Sequence, residues 1–145
     1  RIYVYPKLES LDEEDNLKSA QDIIRPKHQE NLIILYGHDQ SGKTSLLKKA
    51  MMDFLSSGFV PLYLNAETDI PNDNIRQLLK NAFGKTYDLS RKGEDEFLAL
   101  KKESRILLVD SIHRLPSKLV AADFLKQAQD VFAKIIVTCN DSFSF

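Results

Sequence analysis

Gly37-His38-Asp39-Gln40-Ser41-Gly42-Lys43-Thr44 places two glycines with four residues between them directly ahead of Lys and Thr. That is the phosphate-loop (Walker A) pattern, and its residue types answer a chemical demand. A polyphosphate needs many N–H donors in a concave turn, and glycines let the backbone come close and take positive φ. A helix opening after the loop aims its free N–H groups and the positive end of its dipole at the phosphates. Lys43 is then the residue that reaches the β- and γ-phosphates, and the Thr44 hydroxyl the one that ligates Mg²⁺. Gly37, His38, Asp39, Gln40, Ser41, Gly42, Lys43, Thr44 and Ser45 form the candidate nucleotide-binding set.

The flanks supply the context the motif requires. Leu32-Ile33-Ile34-Leu35-Tyr36 is a continuous apolar run, as expected of a strand buried on both faces. After Thr44, the apolar residues Leu46, Leu47, Ala50, Met51, Phe54 and Leu55 recur at helical spacing. This helix is expected to run to about Ser57 and to be closed by Gly58.

Further along, Val60-Pro61-Leu62-Tyr63-Leu64 reads as a second strand, with Pro61 suited to a strand start or an edge. Asn72 or Asp73 is placed to cap a helix carrying Ile75, Leu78, Leu79, Ala82 and Phe83. Residues 84–93 read as a loop, followed by a weaker helix over Glu94 to Lys102. Ile106–Val109 is a third buried strand and Ile135–Thr138 a fourth, separated by a helix face of Val120, Phe124, Leu125, Ala128, Val131 and Phe132. Apolar strands alternating with amphipathic helices predict an α/β fold, a P-loop NTPase three-layer sandwich around a parallel sheet. In such sheets ligands gather at the carboxyl ends of the strands, where the phosphate loop, Asp110 and Thr138 all fall.

Asp110 ends the third strand after four apolar residues, the Walker B arrangement, and is the candidate to hold Mg²⁺ through a water, opposite Thr44. Many ATPases of this type carry a second acid immediately after that Asp, to polarise the attacking water. Here the position is Ser111, which cannot serve as a carboxylate base. Slow or partner-dependent hydrolysis is the expectation. His113, Thr138 and Asn140 are the remaining candidates for contact with the γ-phosphate or the attacking water. For His113 the competing reading is a loop histidine hydrogen-bonded to backbone. For Thr138 and Asn140 it is strand-end capping.

Composition limits the rest. The chain has 145 residues, enough for one domain with a real core, and a formal net charge of −1, so no global positive field points to nucleic acid. A single cysteine, Cys139, excludes an intrachain disulfide and reads as a packed thiol in a reducing compartment. No apolar stretch is long enough for a membrane span, and the expected location is cytoplasmic. Ahead of the core, Ile2–Tyr5 reads as an extended segment and Asp12–Asp15 as the acidic first turn of a helix bearing Leu17, Ala20, Ile23 and Ile24, ended by Pro26. The expected division is residues 1–30 as this leading segment and residues 31–145 as the NTPase core. An Arg at position 1 and a stop just after the fourth strand suggest a piece of a longer protein, a fragment lacking C-terminal subdomains.

Tyr36-Gly37-His38-Asp39-Gln40-Ser41-Gly42-Lys43-Thr44-Ser45-Leu46-Leu47 resembles the first nucleotide motif of the STAND class of signal-transducing P-loop ATPases, which includes the NACHT and NB-ARC modules. Leu107-Leu108-Val109-Asp110-Ser111-Ile112-His113-Arg114-Leu115 is similar to a bacterial variant of that class in which Asp-Asp-Phe-His follows the strand, with Ser111 replacing the second Asp. Ile2–Pro6 resembles the extended segment that often precedes NACHT-like domains near the adenine. The resemblance implies an ATP/ADP-controlled, Mg²⁺-dependent switch that oligomerises in the full-length protein, and in prokaryotes a role in anti-phage defence.

Three other readings compete, one of them a pseudo-ATPase that binds nucleotide purely as structural glue. A small-molecule or nucleotide kinase needs an Arg-bearing lid after the later strands, and only Arg114 lies near residues 112–125. A DNA-linked AAA-type ATPase calls for an acid after Asp110 and a basic stripe, and the sequence has neither. No Asn-Lys-x-Asp guanine motif occurs, which favours adenine.

Overall fold

The computed structural model describes residues 7–9, 17–19, 31–69, 75–87 and 93–143. Two short strands, β1 (Lys7–Glu9) and β2 (Leu17–Ser19), pair antiparallel with Leu8 opposite Lys18. Leu17 therefore belongs to a strand and not to the expected amphipathic helix. A ladder partner satisfies its backbone groups, and so short a stretch has too little helical preference to resist. Ile2–Tyr5, Asp12–Asp15, Ala20, Ile23 and Ile24 lie outside the described residues, as do Asn72 and Asp73.

The main sheet holds β3 (Leu32–Tyr36), β4 (Val60–Asn65), β5 (Arg105–Asp110) and β6 (Lys134–Cys139), all parallel, in the order β3-β6-β5-β4. The last strand in sequence is thus inserted between the strand that carries the phosphate loop and the strand that ends in Asp110. β4 is an edge, which accounts for Pro61: its missing N–H is spared on the side with no neighbour.

Helices cover both faces, because side chains alternate along each strand. Ile106 and Leu108 of β5, with Ile136 of β6, point to α1 (Lys43–Ser56) and pack on its Leu46, Leu47, Ala50 and Phe54. Leu107, Val109, Ile135 and Val137 point the other way, into a core shared with α2 (Ile75–Tyr87), α3 (Gly93–Ala99) and α4 (Lys118–Val131). All six residues of β6 are buried, as a central strand covered on both faces requires. Gly58, at φ +84, closes the turn after α1, a backbone conformation that L side chains rarely adopt.

Helix boundaries differ from the sequence reading in two places. Residues 84–87, read as loop, continue α2 to Tyr87. The Tyr87 ring lies 5.0 Å from that of Phe83, and its hydroxyl donates to the Pro61 carbonyl at 2.6 Å. A packed aromatic pair and a tertiary hydrogen bond outweigh the cost of Gly84 within the helix, about 1 kcal/mol relative to Ala. The weaker helix also ends early, at Ala99, and Lys102–Ser104 forms a separate 3₁₀ turn leading into β5.

Candidate functional site

The phosphate loop leaves the end of β3 and enters α1 through Gly42, whose φ of +88 only glycine takes without strain. Gly37 is fixed by space: a Cβ there would meet Ser41 Oγ at 2.8 Å. The Gly37 N–H donates to the Cys139 carbonyl at 3.2 Å, tying the loop's first residue to β6. Lys43 turns back into the loop, its ammonium donating to the carbonyls of Gly37 and His38 at 2.5 Å each and to Ser41 Oγ at 3.3 Å. No carboxylate among the described residues takes this cation. It stands at the hollow of the loop, held by the backbone that would wrap the phosphates.

The loop forms one wall of a cleft of about 310 Å³, a size within the range of small-ligand sites. Asp110, Ser111, His113 and Arg114 line it from the β5 side, and Glu67 from the end of β4. Thr44 Oγ1 donates to Asp110 Oδ2 at 2.7 Å, joining two residues 66 apart in sequence. Tyr63, on β4, donates its phenol to the same oxygen at 2.8 Å. The other carboxylate oxygen accepts from Thr138 Oγ1 at 2.7 Å and, more distantly, from Ser111 Oγ at 3.4 Å.

Burial pushes the Asp110 carboxyl up. The hydroxyls of Thr44, Thr138, Tyr63 and Ser111 together outweigh it and hold the group below the usual carboxylate range. The carboxylate is therefore ionised at neutral pH although only 2% of the residue is exposed. Burial, helped by the Asp110 bond, raises Tyr63, so its phenol stays a donor.

Thr138 is fully buried and does not line the cleft. Its hydroxyl donates to Asp110 and accepts from the Ser111 N–H at 2.9 Å, so it positions the carboxylate and fixes the sharp turn at Ser111, φ +61. Thr138→Val keeps the shape but strands both partners. A loss of about 1–3 kcal/mol is expected, read as a lowered urea midpoint at constant slope.

His113 Nδ1 accepts the Asn140 N–H at 3.2 Å, the backbone-bonded geometry weighed for it in the sequence. Burial and the neighbouring Arg114 lower its pKa, so the ring is neutral with its proton on Nε2, and the residue lines the cleft. Asn140 is occupied locally, its Oδ1 accepting from Ser142 Oγ at 3.0 Å. Cys139 is buried, and burial raises its thiol to about 11, which makes it a packing group. His38 Nδ1 meets Asp141 Oδ2 at 2.6 Å across the mouth of the loop.

Mg²⁺ prefers hard oxygen donors and usually keeps several waters, bound through one or two carboxylates and the substrate's own phosphates. Thr44 and the ionised Asp110, adjacent and both oxygen donors, fit that ion. Among the described residues no cluster of three or more His, Cys, Asp or Glu offers an all-protein metal cage.

Two residues at this site carry no motif: Tyr63 and Glu67. Tyr63 is a polar-tipped ring inside an otherwise aliphatic strand, and Glu67 follows that strand's carboxyl end. The rule that ligands gather at carboxyl ends could have flagged both.

The architecture is the α/β sandwich of P-loop NTPases. Domain III of the replication initiation protein DnaA from Thermotoga maritima superposes with a TM-score of 0.53 at 20% identity, over 84% of this chain and 48% of that one. AMPPCP-bound DnaA from Aquifex aeolicus gives 0.51 at 17% identity, over 83% and 36%. The ORC1 protein of Aeropyrum pernix, solved in complex with DNA, gives 0.53 at 19% identity, over 85% and 37%. The chain thus spans between about a third and a half of the length of these proteins. No protein-family model matches the sequence, and no curated protein does. Among the described residues no helix is long and apolar enough to cross a membrane.

Proposed function

We propose that this chain binds ATP with Mg²⁺ in the cleft between the phosphate loop and the end of β5, and works as a nucleotide-controlled switch module. The observation that carries this reading is the meeting of Thr44 and Asp110 at 2.7 Å beside the Lys43 ammonium. A helix head, a cation and an ionised carboxylate then converge where a triphosphate and its metal would lie. In this reading the loop N–H groups and Lys43 hold the phosphates, while Thr44 and Asp110 hold the metal, which neutralises charge on the phosphate oxygens. Tyr63 and Thr138 keep the carboxylate ionised and aimed, and His113 offers its Nε2–H to an oxygen in the cleft.

The signalling role, with oligomerisation of the full-length protein and anti-phage defence, rests on the resemblance of residues 36–47 and 107–115 to STAND modules. A second reading, an ATPase linked to DNA, is favoured by the shared architecture with DnaA and ORC1 and disfavoured by the net charge of −1.

A ligand that binds only the folded state stabilises it by RT ln(1 + [L]/Kd), about 2.7 kcal/mol at one hundred times Kd. Mg·ATP is therefore expected to raise the melting temperature by roughly 5–15 °C for a domain of this size. GTP should do so less. A melting temperature indifferent to millimolar Mg·ATP would reject the binding site.

A further inference from the structure

The sequence lacks an acid beside Asp110, yet hydrolysis needs a group to orient and deprotonate the attacking water. The cleft narrows the choice. Ser111 carries a hydroxyl only. His113 has its Nδ1 lone pair committed to the Asn140 N–H, so in the neutral ring the other nitrogen carries the proton and has no lone pair free to take another. Among the described residues, three carboxylates line the cleft: Asp39, Asp110 and Glu67. Both oxygens of Asp110 accept hydroxyl donors. Asp39 rides on the phosphate loop, the wall that grips the leaving group. In-line attack brings water from the far side of the γ-phosphate.

Glu67 lines the cleft from the end of β4, away from the phosphate loop. β4 is the opposite edge of the sheet from β3, three strand spacings or roughly 14 Å away. The Ala66 N–H donates to the Asp110 carbonyl at 2.9 Å, so Glu67 follows a residue locked beside the metal-side carboxylate. Its own N–H donates to Asn65 Oδ1 at 2.9 Å. Asp69 braces the same turn: its N–H donates to the Asn65 carbonyl at 2.7 Å, its carboxylate accepts the Asn65 N–H at 3.1 Å, and Lys85 pairs with it. The turn is built, yet the Glu67 carboxylate makes no hydrogen bond or ion pair among the described residues.

Building on the proposed Mg·ATP site, we infer that Glu67 is the catalytic carboxylate of this chain, supplied by the strand next to β5 in place of the acid absent at Ser111. Water oxygen forms the new bond to the γ-phosphorus as the bond to the β,γ-bridging oxygen breaks. The leaving electron pair departs on ADP, and the water proton passes to the Glu67 carboxylate and then to the phosphate product.

The test uses the whole chain and two readouts: the Mg·ATP thermal shift, and phosphate release in a single turnover. Glu67→Gln should keep the wild-type thermal shift and lose about 100-fold in phosphate release, the usual scale of a general base. Glu67→Asp should recover part of the rate. Wild-type release by Glu67→Gln overturns the assignment, as does equal loss of binding and release, which would make Glu67 a ligand contact. A wild-type chain that is stabilised by Mg·ATP but releases no more phosphate than Lys43→Ala also overturns it and leaves the binding site standing. No thermal shift in the wild type removes the binding site and this role together.

Discussion

Lys43→Ala is expected to erase most of the stabilisation that Mg·ATP gives the wild type while changing the melting temperature without nucleotide little. The ammonium has two roles. Without ligand it donates to the carbonyls of Gly37 and His38, half-buried and near solvent, and water replaces those bonds at a cost of about 1 kcal/mol or less. With a triphosphate in the cleft it becomes the positive partner of two phosphates in a partly enclosed site. Removing one partner of such a pair costs about 2–5 kcal/mol, a fall in affinity of roughly 30-fold to several thousand-fold. At 1 mM nucleotide that turns a clear thermal shift into a small one. Scanning fluorimetry of both proteins with and without Mg·ATP measures it. A mutant shift equal to the wild-type shift would refute the phosphate contact. A mutant that melts far below the wild type without nucleotide would make Lys43 a structural clasp of the loop.

The strands were legible because their signal is physical and local. A strand covered on both faces must be apolar throughout, and Ile106–Val109 and Ile135–Thr138 have few other ways to exist in water. The phosphate loop was legible because Gly37 and Gly42 are demanded by space and by a positive φ, respectively. The strand order was not. Nothing within Ile135–Thr138 says that it enters between β3 and β5, since order depends on which helix crosses which face. The same limit explains Leu17, where a partner eight residues away in sequence, Glu9, decided the backbone. Thr138 was noticed for the right place and given a different task. Its position at the end of a strand pointed to the site, but only the register Leu35↔Thr138, with β5 on the other side, puts its hydroxyl on Asp110 and off the cleft wall. Tyr63 escaped notice because its partner Asp110 lies on β5, more than forty residues away, and Glu67 because only the pairing of β4 with β5 brings the end of β4 to the cleft.

Asp110→Ala is expected to act on both metal binding and stability, and pH separates the two. Three hydroxyls within 2.8 Å donate to this carboxylate, and one of them, Thr138, is fully buried. Deleting the acceptor leaves that donor unpaired, and hydrogen bonds to charged groups are among the stronger ones, so a loss of about 2–4 kcal/mol is expected. The folded-state pKa lies below the unfolded value of 3.8. Its contribution is therefore fully present above that value and fades as pH falls through the folded pKa. Urea titrations at pH 7 should show the full difference between wild type and Asp110→Ala, and titrations at pH 3 a smaller one. A difference independent of pH would mean that the stability change arises from packing alone. For the nucleotide, the variant should lose the part of the ATP-induced thermal shift that depends on Mg²⁺ and keep a metal-free remainder held by the loop and Lys43. Equal loss with Mg²⁺ and with chelator would deny Asp110 a metal role, because a residue that serves only the metal cannot weaken binding when none is there.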